Sequence, residues 1–221
     1  MSSTRIRRAG RKTGPKPRFT REDVINAAVE LGIDRFTLGA VAAKLGIATS
    51  AMYRLFDSRD ALVDACLAQA AAEISMIMLD DELPWPELLR NWAETTWNIC
   101  EKYPGLDITI FQYTQSFSHV RGFTQHAMGI LMAQGFARSE ALFALDFIGD
   151  TVLATHIGMS AMRHSPEGMD IVTRTITELS AETLLDNKDH WNAQRGFLDA
   201  KVEFIIAGLR QQLGQRATEK T

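Results

Sequence analysis

The feature that most restricts this chain is a pair of short amphipathic patterns joined by one glycine. Leu38, Val41, Ala42 and Leu45 fall at 0, 3, 4 and 7, the spacing that lays one apolar stripe along an α-helix. Thr37 stands where such a helix wants its N-cap, and Gly46 stops it after about two turns. A helix over roughly residues 48–56 then follows, with Ile47, Ala51, Met52, Leu55 and Phe56 on one face and Thr49, Ser50, Tyr53, Arg54 and Asp57 on the other. Helices this short cannot stand alone and must bury their stripes on neighbours. Upstream, Thr20-x-x-Asp23 fits a capping box, and Val24, Ala27, Ala28 and Leu31 repeat the 0, 3, 4, 7 stripe before Gly32. The pattern predicts three short helices around one small core, the last two forming a helix-turn-helix.

The second helix of that motif has chemistry suited to a DNA groove. Its leading residues are small, and a major groove only about 12 Å wide admits a slim helix end most deeply. Tyr53 can donate its hydroxyl to a phosphate, Arg54 can bond a guanine or a phosphate, and Arg59 sits at the head of the next helix. Charge points the same way. Residues 1–60 carry 12 basic against 6 acidic side chains, a surplus of +6, which leaves 12 basic against 21 acidic, or −9, for residues 61–221. A positive head on a negative body suits a polyanionic partner. Residues 1–19 mix Gly, Pro, Ser and basic residues without apolar period and read as a disordered arm. In it Arg8, Arg11, Lys16 and Arg18, with Arg21 just beyond, are candidate DNA contacts. Two roles stay open for the arm, insertion into an adjacent minor groove or a nonspecific electrostatic tether.

The stretch "REDVINAAVELGIDRFTLGAVAAKLGIATSAMYRLFDSRDALVDACL" resembles the TetR (tetracycline-repressor-like) family of bacterial transcription regulators. Thr37, Val41-Ala42, Leu45-Gly46-Ile47, Met52-Tyr53, Phe56, Ser58-Arg59 and Leu62 carry the likeness. The resemblance implies phosphate contacts from Tyr53 and Arg59, backbone contacts from Thr37 and Lys44, and base-facing roles for Thr49, Ser50, Ala51 and Arg54. Departures from the family pattern are a first helix one turn short, Ala48 where a capping Ser is frequent (leaving Thr49 as a substitute cap), Ser50 and Leu55.

Beyond the "DDELPWP" break every segment reads helical, so the expected class is all-α. A fourth helix is expected from Asp57 or Ser58 to about Leu79, a fifth around Pro86 ending at Tyr103-Pro104-Gly105, another over Val120–Gln134, and a long one capped by Ser139. Two more cover 168–186 and 194–213. Residues 20–66 form the expected head and 67–221 a ligand-binding and dimerisation domain. By resemblance, "LMAQGFARSEALFALDFIGDTVLATHIG" and "KVEFIIAGL" are similar to the helices that pair two copies into a homodimer. A dimer would set two recognition helices one turn apart on a pseudo-palindromic double-stranded operator.

For a small, mostly apolar effector the candidates are Trp92, Thr96, Phe111, Phe117, Phe123, His126, Met128, Phe147, Thr151 and His156. Any one of these can equally be plain core, and His126 and His156 read as hydrogen-bonded structural residues rather than metal ligands. Cys66 and Cys100 lie inside apolar helical patterns with no Cys/His spacing around them, so neither a zinc site nor a disulfide is expected, and no cofactor. GxGxxG, P-loop, GxSxG and HExxH motifs are all absent, which argues against an enzyme. Asp146 and Asp150, at i and i+4, read as helical surface acids. With no run of 18 apolar residues and no leader pattern, the expectation is a cytoplasmic protein without a membrane partner. The functional expectation is a ligand-responsive, homodimeric repressor. A constitutive or architectural DNA-binding protein, or an activator, remains the alternative.

Overall fold

A computed structural model describes residues 19–76, 80–113, 115–182 and 194–219, and these are built from helices throughout. The all-α expectation holds. The first four helices make the head: α1 (Arg21–Leu31), α2 (Leu38–Leu45), α3 (Thr49–Met52) and α4 (Arg59–Ser75). Their ends are fixed as the sequence implies. Thr20 Oγ1 accepts from Asp23 N–H at 3.1 Å while Asp23 Oδ2 accepts from Thr20 N–H at 2.7 Å, a full capping box. Thr37 and Ser58 cap α2 and α4 through their hydroxyl oxygens, each at 3.1 Å from the third amide onward. Val24, Ala28, Ile33, Val41, Met52, Leu62, Val63 and Cys66 are all fully buried at the centre of the four helices.

The body comprises α5 (Trp85–Lys102), α6 (Leu106–Gln112), α7 (Ser116–His119), α8 (Arg121–Ala133), α9 (Arg138–Arg163), α10 (Pro166–Glu182) and α11 (Leu198–Glu219). Helix α9 is its axis, packed by α5, α6, α8, α10 and α11. Among the described residues α9 is the one helix long and apolar enough to cross a membrane, with a mean hydropathy of 1.3 over 18 residues. Its apolar character is used here by five neighbours, and Ala141, Ala144, Leu145, Ile148 and Val152 lie in the second core with Leu88, Leu89, Leu131 and Leu198.

Several expected boundaries shift. The recognition helix is α-helical only over Thr49–Met52; Ala48 offers no side-chain cap, and Thr49 is already the first helical residue. Beyond it the chain tightens into three-residue turns, with Arg54 N–H on Ala51 O and Leu55 N–H on Met52 O. Ser139 lies inside α9, and the orphan amide at its start, that of Ala137, is taken by Glu140 Oε2 at 2.7 Å. Helix α11 starts at Leu198 and runs to Glu219, past the expected end. Residues 77–79 and 183–186, ends of two expected helices, lie outside the described residues, as does the arm to residue 18. Helices α6 and α7 were not anticipated.

The head and body are not separated at residue 66, which lies in the middle of α4. The head core also takes in Ile99, Cys100, Tyr103 and Leu106 from the α5–α6 corner. At that corner Ile33 N–H donates to Pro104 O at 2.8 Å, and Gly105 adopts φ +81° directly against Asp34. A Cβ on residue 105 would lie 2.0 Å from Asp34 Oδ1 and 2.9 Å from its backbone nitrogen, so only glycine fits. Tyr103 is buried in the head core, and its hydroxyl donates to Glu73 Oε1 at 2.7 Å. Burial, then the bond to the Glu73 carboxylate, push its phenol up to about 12.

Candidate nucleic-acid interface and ligand cavity

The helix-turn-helix is built around Gly46. Its φ of +66° lets Gly46 N–H reach Ala43 O at 3.1 Å and Ile47 N–H reach Ala42 O at 3.0 Å. Those two bonds are a Schellman motif, and they turn the chain directly from α2 into α3. Met52 and Phe56 anchor the back of α3 in the head core, with Ile47, Ala51 and Leu55 half-buried beside them. Thr49, Ser50, Tyr53, Arg54 and Asp57 face outward, and Tyr53 is 54% exposed. The division of faces read from the sequence is therefore the one the chain adopts. The Arg54 side chain has no hydrogen bond or ion pair among the described residues and is free to meet a polyanion.

Three basic or polar candidates are already engaged. Arg21 Nη1 donates to Leu55 O at 2.9 Å and its guanidinium lies 4.1 Å from the Phe56 ring centre, so it braces the end of α3. Lys44 Nζ sits 2.7 Å from Glu30 Oε2, an exposed pair that phosphate can displace at little cost. Thr37 spends its oxygen capping α2 and keeps its hydroxyl proton.

Arg59 is placed differently from its expected role on phosphate. Its guanidinium turns inward: Nε donates to Phe36 O at 3.0 Å, Nη2 to Ile33 O at 3.1 Å and Asp34 O at 2.8 Å, and Nη1 to the Tyr113 hydroxyl at 2.9 Å. It also covers the Phe36 ring. Tyr113 in turn donates to Asp60 Oδ1 at 2.9 Å. Arg59 thus ties the start of α4 to the 33–36 turn and to the end of α6. The physical reason is local: the turn leaves three carbonyls in one spot with no helical partners, and a planar guanidinium satisfies several at once. Arg8, Arg11, Lys16 and Arg18 lie outside the described residues.

Below the head is a cavity of about 180 Å³. Its roof is α4, through Leu67, Ala70, Ala71 and Ile74, and its walls come from α5, α6, α7, α8 and α9. Of the expected ligand residues, Trp92, Thr96, Phe117 and Phe123 line it together. Trp92 and Phe123 stack with ring centres 5.2 Å apart and planes 11° apart, and Trp92 Nε1 donates to Leu145 O at 3.1 Å. The other expected residues are not brought there. Phe111 is exposed, Met128 lines an adjoining surface depression that shares Phe117, Val120, Thr124 and Leu142 with the cavity, and Phe147 and Thr151 border another with Phe204. His126 is exposed, with Nε2 2.6 Å from Asp81 Oδ1.

His156 is buried away from the cavity, against the edge of Trp97, with Nδ1 2.6 Å from Asp107 Oδ2. Burial works to raise the Asp107 carboxyl, but the bonds from His156 and the Ile108 amide outweigh it and hold it below the usual carboxylate range. Both are structural in this arrangement, as the sequence suggested for the histidine. Cys66 and Cys100 are buried free thiols, and burial pushes Cys66 up to about 12, so it is inert. Among the described residues no group of His, Cys, Asp and Glu could hold a metal.

Sequence reasoning missed the α4 roof, and it read Asp146 and Asp150 as helical surface acids; both are exposed, and both also line the cavity. A signal was present. Leu142, Leu145, Asp146, Gly149, Asp150 and Leu153 form one stripe of α9, and a glycine with two acids inside an apolar stripe marks a face that packs against something other than core.

Residues 25–66 match the family model of the bacterial regulatory proteins, tetR family. Over those residues the helix-turn-helix head is similar to that family. Solved structures agree on the fold. Apo ActR from Streptomyces coelicolor superposes with a TM-score of 0.68 at 16% identity, covering 91% of this chain and 100% of that one. TetR from Acinetobacter baumannii AYE gives 0.63 at 20% identity, over 88% and 98%. A variant of the latter in complex with minocycline gives 0.61 at 20%, over 87% and 94%. No curated protein sequence matches the chain.

Proposed function

We propose that the chain is a TetR-family regulator and a homodimeric repressor, released from a pseudo-palindromic operator when a small, mostly apolar effector fills the cavity under α4. One observation carries the reading: the cavity's roof and the head's core are the same helix. Leu67 and Ala70 of α4 belong to the head core and also line the cavity. A ligand that displaces α4 therefore acts on the helix holding α1 to α3, and through Arg59 on the 33–36 turn. Cavity and recognition helix share one rigid element, the condition for two sites to be coupled. The solved minocycline complex shows that a relative with this fold takes a small molecule.

Homodimerisation is supported by the outer faces of α9 and α11. Phe143, Phe147 and Phe204 are 54%, 46% and 81% exposed, and the first two rings lie 5.5 Å apart. Large apolar side chains gathered on one surface mark an interaction site. The Arg90 guanidinium bonds Glu203 on both oxygens, at 2.5 and 2.8 Å, and holds α11 in place beside that face.

The test is selection of bound DNA from a random pool, followed by operator titrations with and without ligands found by thermal shift. The expected result is a palindromic consensus, and an affinity loss of roughly 10–100-fold with ligand, a coupling of about 1–3 kcal/mol. An affinity that no ligand alters would favour a constitutive DNA-binding protein instead.

A further inference from the structure

We propose that the cavity takes a lipophilic cation, an apolar body carrying a protonated amine, with the ammonium held by Asp146 and Asp150 on the α9 wall. The inference rests on reading the cavity as the effector site, and it names the chemical class of effector.

It follows from an inventory of what the lining can donate and accept. Among the described residues the ionisable groups lining the cavity are Asp146 and Asp150, one helical turn apart and both exposed, with no described Lys, Arg or His bordering it. Neither acid has a hydrogen-bonding or cationic partner among the described residues, whereas nearby acids of the body are paired, Glu203 with Arg90, Glu94 with Arg195 and Glu101 with Arg163. The lining donors are already spent. Thr96 gives its proton to Trp92 O at 2.8 Å, Thr124 to Val120 O at 3.0 Å, Ser116 to Tyr113 O, and the Trp92 indole to Leu145 O. Thr95 alone keeps an uncommitted hydroxyl proton. What remains is acceptor capacity: hydroxyl lone pairs and two carboxylates. A ligand with its own anion or carbonyl would find almost nothing to donate to it. A ligand that donates finds acceptors grouped on one wall.

The aromatic lining suits the same ligand. The stacked Trp92–Phe123 pair offers an aromatic face for the apolar body or for the cation itself. The carboxylates also gain from a cation. Burial and then the neighbouring Asp146 charge hold Asp150 above the usual carboxylate range, and a bound ammonium relieves the like-charge contact. The net charge of −9 over residues 61–221 favours approach of a cation to this domain.

Three probes of matched size separate the possibilities: phenylbutylamine, protonated at neutral pH, the neutral phenylbutanol and the anionic phenylbutyrate. Binding is measured by calorimetry on the full chain without DNA, for the natural protein and for Asp146→Asn and Asp150→Asn. The expected order is amine over alcohol by roughly tenfold, with the acid weakest, since a partly exposed ion pair and a cation–π contact together supply about that much. Each Asn variant should bring the amine several-fold closer to the alcohol, and retained binding of the alcohol, whose hydroxyl the Asn amide oxygen still accepts, shows that the cavity is intact. Equal binding of amine and alcohol, preference for the acid, no binding of any probe, or a preference that survives both Asn variants would overturn the proposal. Operator titration in the same samples keeps the two readings distinct. Amine binding without operator release would fail the repressor reading and leave the cation assignment standing, whereas release by the alcohol or acid alone would do the reverse.

Discussion

Replacing Arg59 by Met separates two roles for one residue that sequence and structure assign differently. A phosphate contact would leave folding intact and reduce the salt dependence of DNA binding by about one counterion. A strut behaves otherwise. In the structure the guanidinium bonds Ile33 O, Asp34 O, Phe36 O and the Tyr113 hydroxyl, and Ile33 and Phe36 are buried. Met keeps the stem's packing but leaves these groups without a donor. Each buried acceptor stranded in this way costs about 1–3 kcal/mol, and the losses overlap because they share one spot. A total of about 3 kcal/mol is therefore expected, a fall of roughly 6–12 °C in Tm for a chain of this size. The assay is thermal unfolding beside fluorescence-anisotropy titrations of operator DNA at graded salt. The strut account expects the Tm loss with an unchanged salt slope. A Tm within about 1 °C of the natural protein and a slope reduced by about one would refute it.

Gly105→Ala should cost about 2 kcal/mol or more, from a positive φ and from the contact with Asp34, seen as a Tm lowered by roughly 4–8 °C. Adding Asp34→Ala should not restore it, because the Asp34 backbone nitrogen also lies within 2.9 Å; full rescue would show that the clash is with the side chain alone. Phe204→Glu on the outer face of α11 should yield a monomer in sedimentation velocity with correspondingly weak operator binding, and a persistent dimer would place the interface elsewhere. The depressed Asp107 carboxyl makes a stabilising contribution that is complete above the ordinary carboxylate range, at about pH 4, and is lost as pH falls through its lower folded value. The acid limb of a stability–pH curve should accordingly be shallower for Asp107→Asn, and an unchanged limb would detach Asp107 from acid unfolding.

The head was legible because its determinants are local. Caps at Thr20, Thr37 and Ser58, the stop at Gly46 and the 0, 3, 4, 7 stripes act within a few residues, and each works as read. The length of α3 was not, since the apolar stripe runs on through Leu55 and Phe56 while the α-helix itself ends at Met52. In the body, exposure and pairing are set by distant segments. Asp107 and His156 meet across 49 residues, and nothing in either neighbourhood announces the partner. Phe147 and Phe123 look alike in sequence, yet α8 turns Phe123 onto Trp92 of α5 whereas α9 turns Phe147 outward. The Arg59 strut was illegible for a related reason. Three free carbonyls gather at residues 33–36 only once α1 has ended at Gly32 and the α5–α6 corner has docked against the turn.

The central claim is that the cavity and the recognition helix are coupled through α4, and coupling of this kind is reciprocal. The direct measurement is the affinity of one effector probe for the free protein and for the protein saturated with its selected operator. The account predicts binding to the operator complex weaker by roughly 10–100-fold, the same factor by which the probe weakens operator binding. Equal affinity for the free and DNA-bound protein would contradict it.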